Sequence, residues 1–259
     1  KGIDVATGSE FHNSRLFRSD LQDVGKSAAV LARASRDAAK AESGIFEVLL
    51  KPLAFMQLLE YSFVPSLSAD NVQKGRSRLA TIMGKKIASE DFFMEDDGLL
   101  SGGIGSSSFD GEGVPSQNTP LIENGVLRSF LYDSYTAGKV GERSTGNAVR
   151  SGYTEVPKVG IRNLVVSSSE SRDLIEETKG ILVNDLIGAH TANPISGDFS
   201  LEAKNSFLVT PDETPKPIKS MMLAGNIFEL LKDIEVGEDV RAVGAIVTPT
   251  VRIRMKVVV

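Results

Sequence analysis

The last nine residues, VRIRMKVVV, alternate apolar and charged as far as Val257. Val251, Ile253, Met255 and Val257 fall on one face of an extended chain, and Arg252, Arg254 and Lys256 on the other. Successive side chains of a β-strand point to opposite faces, so the segment predicts a strand with one buried face. A slip of one residue would turn every one of those apolar side chains out to water, so the register of any neighbouring strand is tightly constrained. A second strong local signal is Asn124-Gly125 within TPLIENGVLRSFLYD. Asn and Gly tolerate the positive φ that a two-residue type I′ turn demands, and the pair predicts a hairpin between 120–122 and 126–131.

Elsewhere the chain mixes helical and extended signals. Residues 19–43 predict a helix, with Ser19 and Gln22 as a capping box, alanines inside and Gly44 past the end. Residues 45–50 read as a short apolar strand. Pro52 opens a second helical run, LAFMQLLEYSF, which Pro65 ends or kinks. Strands are expected at 160–166 and 181–187 around a polar helix at 169–179, and a short amphipathic helix at 224–232. Helices come early and strands late, so an α+β fold with a largely antiparallel sheet is expected. Residues 98–118, GLLSGGIGSSSFDGEGVPSQ and the residue after it, form a Gly- and Ser-rich loop of the length at which loops are functional or mobile.

Composition removes several function classes. Hydrophobic residues at 41% and charged residues at 24% are globular values that exclude wholesale disorder. A net charge of −5 argues against a dedicated nucleic-acid binder. No apolar run has the length of a membrane span. Cysteine is absent, which excludes disulfides and thiolate metal sites and fits a cytoplasmic location. The chain opens on Lys1 directly into structured-looking sequence, so a fragment or processed product is expected.

Candidate sites are weak individually. Gly102-Gly103-Ile104-Gly105 could cradle a phosphate, but no helix follows and no lysine stands at the Walker position. Glu95, Asp96 and Asp97 with Asp110 and Glu112 could hold a cation, but adjacent carboxylates of a strand diverge, and a solvated acidic rim is the plainer reading. A triad of His190, a serine and Asp198 lacks a G-x-S-x-G elbow. Zinc catalysis needs three protein ligands, and His12 and His190 are the only histidines.

Taken in order, EDDGLLSGGIGSSSFDGEGVPSQNTPLIENGVLRSFLYDSYTAGKVG, STGNAVR, NPISGDFSLEA, AGNIFELLKDI and TPTVRIRMKVVV resemble the TldD/PmbA family, also described as modulators of DNA gyrase. GIFEVLLKPLAFMQLLE and SADNVQKGRS extend the likeness upstream, so nearly the whole chain is covered. The resemblance implies that an N-terminal domain is missing, that 1–43 is the remnant of a middle region, and that 44–259 is a C-terminal domain built on a strongly curved, largely antiparallel sheet with a few packed helices. It also implies two kinds of subunit. TldD-like members carry H-E-x-x-x-H and bind zinc with a downstream cysteine, and TldE-like members lack the metal site and pair with them. Leu58-Leu59 and Lys74-Gly75 keep the frame of that motif, but Glu60 and Pro65 stand at its histidine positions and Tyr61 at its glutamate.

The expected function is therefore a metal-free TldE/PmbA-like subunit of a zinc-dependent peptidase complex acting on unfolded or extended peptides. The alternative is a non-enzymatic homodimeric peptide-binding or regulatory protein. No catalytic or metal-binding residue is expected in this chain, and zinc only in a TldD-like partner. His190, Asn193, Gly197 and Asp198 are the expected substrate-contact residues. An acidic chain lends no support to a direct action on DNA gyrase, and neither nucleic acid nor membrane is an expected partner.

Overall fold

The computed structural model describes residues 5–17, 22–170 and 172–259. Five of its strands close into a barrel, labelled here in chain order: β1 (Gly44–Leu50), β2 (Gly180–Ile187), β3 (Asp198–Val209), β4 (Met221–Asn226) and β5 (Val251–Val258). Each pairs with the next, and β5 returns to β1 with Gly44 opposite Val257 and Leu50 opposite Val251. Only β1–β2 is parallel. The curved, largely antiparallel sheet of an α+β protein is what forms, and closure leaves the ring without a free edge.

The alternation of β5 determines what fills the ring. Val251, Ile253, Met255 and Val257 are all at most 3% exposed, and they meet Val48, Leu50, Ile181, Val183, Leu201 and Leu223 in one core. The outer face of the barrel carries a smaller cluster, Leu49, Leu182 and Phe207, against which Leu31 packs from helix α1 (Gln22–Ala34). That helix is shorter than the expected 19–43, ending at Ala34 before Asp37 takes a left-handed φ of 57°. Beyond it Ala39 is held out of the helix, its N–H donating to Pro217 O (3.0 Å) and its C=O accepting from the Lys219 N–H (2.8 Å), so tertiary pairing overrides the helical preference of the alanines. The Ser19 capping box lies outside the described residues.

Helix α2 (Pro52–Ser62) joins the barrel to a second, six-stranded sheet. Proline at its start loses no hydrogen bond, and Ala54, Phe55, Leu58, Leu59 and Ser62 form its buried stripe. Gln57 fastens it to β2, donating to Asp185 Oδ1 (2.9 Å) and accepting from the Leu186 N–H (2.9 Å). Past Phe63 the chain tightens into the 3-10 turn Val64–Leu67, where Pro65 cannot continue an α-helix.

The second sheet runs in the order Arg241–Val243, Ile246–Thr248, Leu164–Ser168, Phe92–Asp97, Asn118–Glu123, Val126–Leu127. Its terminal hairpin turns at Asn124 (φ 50) and Gly125 (φ 72), as its sequence requires, although the returning strand is only Val126–Leu127. Two expected helices are shorter than their polar patterns: Leu174–Glu177 replaces 169–179, and 224–232 begins as the end of β4 before Ile227–Leu230 turns helical. Ladder hydrogen bonds with β3 and β5 hold 224–226 extended against local preference. Among the described residues no helix is long and apolar enough to cross a membrane.

Candidate functional site

His190, Asn193 and Gly197 lie on the loop that joins β2 to β3, and Asp198 opens β3 at its end. Gly188 breaks away from β2 with a φ of 81°, and Ala189–Thr191 form a single 3-10 turn that leaves His190 exposed. The His190 ring meets the ring of Tyr61, on the last turn of α2, at 78° with centroids 6.5 Å apart. Asn193 caps its own turn, its Oδ1 accepting from the N–H groups of Ile195 (2.9 Å) and Ser196 (3.1 Å). Gly197 has a φ of 81°, and a Cβ there would sit 2.4 Å from Cδ2 of Phe228. Asp198 accepts from Asn226 Nδ2 at 2.7 Å, and this hydrogen bond, with help from Ser196 and the Arg78 charge, holds its carboxyl below the ordinary aspartate range.

The loop is fastened by residues that sequence reasoning missed. Arg78 donates to Ser196 O (3.0 Å) and Asn226 Oδ1 (3.3 Å), and its guanidinium lies 5.0 Å from the centroid of the Phe228 ring. Asn226 Nδ2 also donates to Ser196 O (2.8 Å), and Ser66 Oγ donates to Pro194 O (3.2 Å). Arg78 lies 118 residues from Ser196, and no spacing rule joins such distant positions. Asn193 and Gly197 shape the loop, and His190, Asn193, Pro194, Ile195 and Asp198 are exposed along it and at the start of β3. Such a loop can orient a bound chain, but it assembles no nucleophile and base.

Arg78→Ala should therefore cost about 1–2 kcal/mol through lost packing and charge-assisted hydrogen bonds. Amide hydrogen exchange should speed up across 193–198 more than in the barrel strands, and uniform exchange across the chain would contradict this assignment.

Around α2, Glu60 is exposed in the last helical turn and Pro65 lies beyond the helix in the 3-10 turn. An exposed carboxylate, a tyrosine against His190 and a proline without a donor atom do not make a zinc-binding set. Among the described residues no three His, Asp or Glu side chains are grouped so as to hold a metal ion.

The acidic residues Glu95, Asp96, Asp97, Asp110 and Glu112 do not form one solvated rim: Glu112 is exposed and Glu95 and Asp97 are half-buried, but the other two are buried. Asp96 and Asp110 are 1% and 5% exposed, against the expectation of a solvated face. Asp96 accepts from Asn147 Nδ2 (2.6 Å) and the Arg162 N–H (2.8 Å), and Asp110 from the N–H groups of Glu112 (2.9 Å), Val114 (2.9 Å) and Ala148 (3.0 Å). Burial, the dominant influence, pushes the Asp96 carboxyl up to about 6 despite these donors. The Gly-rich loop of 98–118 closes over this cluster: Arg162 donates to Gly105 O (3.0 Å) and Ser107 Oγ, and Asn163 to Asp97 O (2.6 Å) and Ser106 Oγ (2.9 Å). A Cβ on Gly105 would fall 2.0 Å from Arg162 O, so that glycine serves close backbone approach.

Residues 43–259 match the model of the PmbA/TldA metallopeptidase C-terminal domain. An uncharacterized protein of Methanocaldococcus jannaschii is 39% identical over 232 residues, covering 90% of this chain and 55% of that protein. A protein of Methanothermobacter thermautotrophicus named metalloprotease is 33% identical over 230 residues, covering 87% of this chain and 50% of that protein. The crystal structure of TldE from Thermococcus kodakarensis superposes with a TM-score of 0.84 at 29% identity, over 93% of this chain and 56% of that one. The chain spans about half the length of the curated relatives it matches. The match over 43–259, most of the chain, places it in the PmbA/TldD metallopeptidase family.

Proposed function

We propose that this chain is a metal-free, TldE/PmbA-like subunit of a zinc-dependent peptidase complex acting on unfolded or extended peptides. A TldD-like partner carries the zinc in this reading. The observation that supports it is the donor set around α2. Glu60, Tyr61 and Pro65 stand in the frame of the metal-binding motif, split between a helix and the turn that follows, and offer one carboxylate and one phenol. Catalytic zinc takes three protein ligands and keeps one position open, most often with histidine or thiolate donors. The role left to this chain is to wall the substrate path and position the peptide, with the loop of His190, Asn193, Gly197 and Asp198 at one side.

The test is to co-express the chain with an H-E-x-x-x-H homologue from the same genome and to purify through a tag on this chain alone. The expected result is co-elution, zinc well below one per copy of this chain when it is purified alone, and chelator-sensitive hydrolysis of an unstructured peptide only in the complex. A homodimer that ignores the homologue would favour the non-enzymatic reading instead. Stoichiometric zinc on the isolated chain would refute both.

A further inference from the structure

Ala148–Val149 and Lys158–Val159 form a ribbon of two strands that joins neither larger sheet. In an antiparallel pair, residues alternate between bonding the partner strand and pointing their N–H and C=O away from it. Gly160 N–H donates to Asn147 O (3.0 Å), so the Asn147–Gly160 pair faces inward and the next pair, Ala148 with Val159, faces outward on both sides. On the Ala148 side the outward groups are satisfied: its N–H donates to Asp110 Oδ2 (3.0 Å) and its C=O accepts from the Gly111 N–H (2.7 Å). On the other side, the Val159 N–H and C=O have no hydrogen-bond partner among the described residues.

That open edge borders a cleft of about 470 Å³. All of 157–161 line it, consecutive residues whose side chains alone could not all face one way, so the main chain itself forms the wall. Leu131 and Tyr135 contribute to the lining, and the opposite wall is the segment after α2, including Val64, Pro65 and Asn71. Pro65, at the second histidine position of the motif frame, therefore looks into the same cleft. Unpaired backbone groups along a cleft of mixed apolar and polar lining favour a further strand, since an isolated two-stranded ribbon is marginal and a third strand completes its ladder.

We propose that this cleft binds an extended peptide as a third strand on Val159, through main-chain hydrogen bonds that tolerate varied side chains. The inference deepens the proposed function by locating the peptide-binding role within this chain, but it is read without a partner subunit. A fluorescently labelled, unstructured peptide of alternating valine and serine is titrated against the isolated 259-residue chain by anisotropy. Two further peptides of the same sequence carry N-methyl groups on alternate amides, one in each possible phase. Saturable binding is expected for the parent, weakened on the order of tenfold or more by methylation in one phase, because the N–H donor to Val159 O is then lost. Val159→Pro removes the Val159 N–H and should weaken the parent peptide to a similar degree, with an unchanged melting temperature showing that the chain still folds.

No binding of the parent peptide would overturn the proposal, as would binding insensitive to methylation in both phases. If Val159→Pro fails to fold, the methylated peptides still decide, because they leave the protein untouched. Methylation-sensitive binding by a chain that never joins a peptidase complex would sink the proposed function and leave this inference standing. The reverse outcome, an active complex whose isolated chain binds no peptide, would sink only this inference.

Discussion

Gly125→Val should be among the most destabilising single substitutions in the chain, costing on the order of 3–5 kcal/mol and lowering the melting temperature sharply. Two independent effects coincide there. The residue has a φ of 72°, a conformation that a β-branched side chain adopts only at considerable cost. Any Cβ would also lie 2.3 Å from Ala88 O and 2.4 Å from Ser89 O, both backbone atoms that cannot swing aside. Moving them would disturb the hydrogen bonds by which the Ile87 (2.7 Å) and Ala88 (3.1 Å) N–H groups donate to Gly125 O. Gly84 separates the two effects. Its φ is 76°, yet a Cβ there would meet nothing within 4 Å, so Gly84→Ala should cost only about 1 kcal/mol. Thermal melts of Gly125→Ala and Gly84→Ala side by side test the difference, and equal losses would mean that conformation alone matters at Gly125.

That turn was legible because its chemistry is local. Asn124-Gly125 states a conformation, and the alternation from Val251 to Val257 states which side of a strand is wet. The barrel that these pieces build was not legible in the same way. Its closure depends on β1 meeting β5 some two hundred residues later and on β1 meeting β2 in parallel, and neither strand carries a mark of its partner. The loop of 98–118 illustrates a different ambiguity. Glycine is used both where a chain must move and where two backbones must touch, and composition does not distinguish the two. Here Gly105 touches Arg162, and the segment is bound to a buried cluster. At the candidate site the motif loop itself was visible, whereas its anchor Arg78 was not, since an arginine far along the chain has no periodicity or spacing to betray it. The edge at Val159 was equally hidden, because a strand's unpaired groups belong to the backbone and leave no trace in residue type.

The buried Asp96 should give the chain an unusual component in its pH–stability profile. Its carboxyl titrates near 6 in the folded protein, against an unperturbed value of 3.8. A raised carboxyl pKa means that between those values the folded chain holds a proton that the unfolded chain has released. Stability from this group is therefore complete below about pH 4 and is lost as pH rises through about 6, a change on the order of 3 kcal/mol. Glu235, held down by its hydrogen bond from Arg252, has the opposite sign and loses its contribution as pH falls, so the total profile of the wild type hides both. The difference between wild type and Asp96→Asn isolates the buried group. Asparagine can accept from only one of the two donors, Asn147 Nδ2 and the Arg162 N–H, and must turn its own N–H toward the other. At pH 4 the variant should thus be less stable than wild type by about 1–3 kcal/mol. As pH rises from 4 to 7 the wild type alone should weaken through ionisation of residue 96, and the gap should narrow or reverse. Denaturant unfolding of both proteins at half-unit steps measures it. A gap that stays constant, or widens with pH, would mean that Asp96 is already ionised at pH 4 and that its two donors outweigh burial.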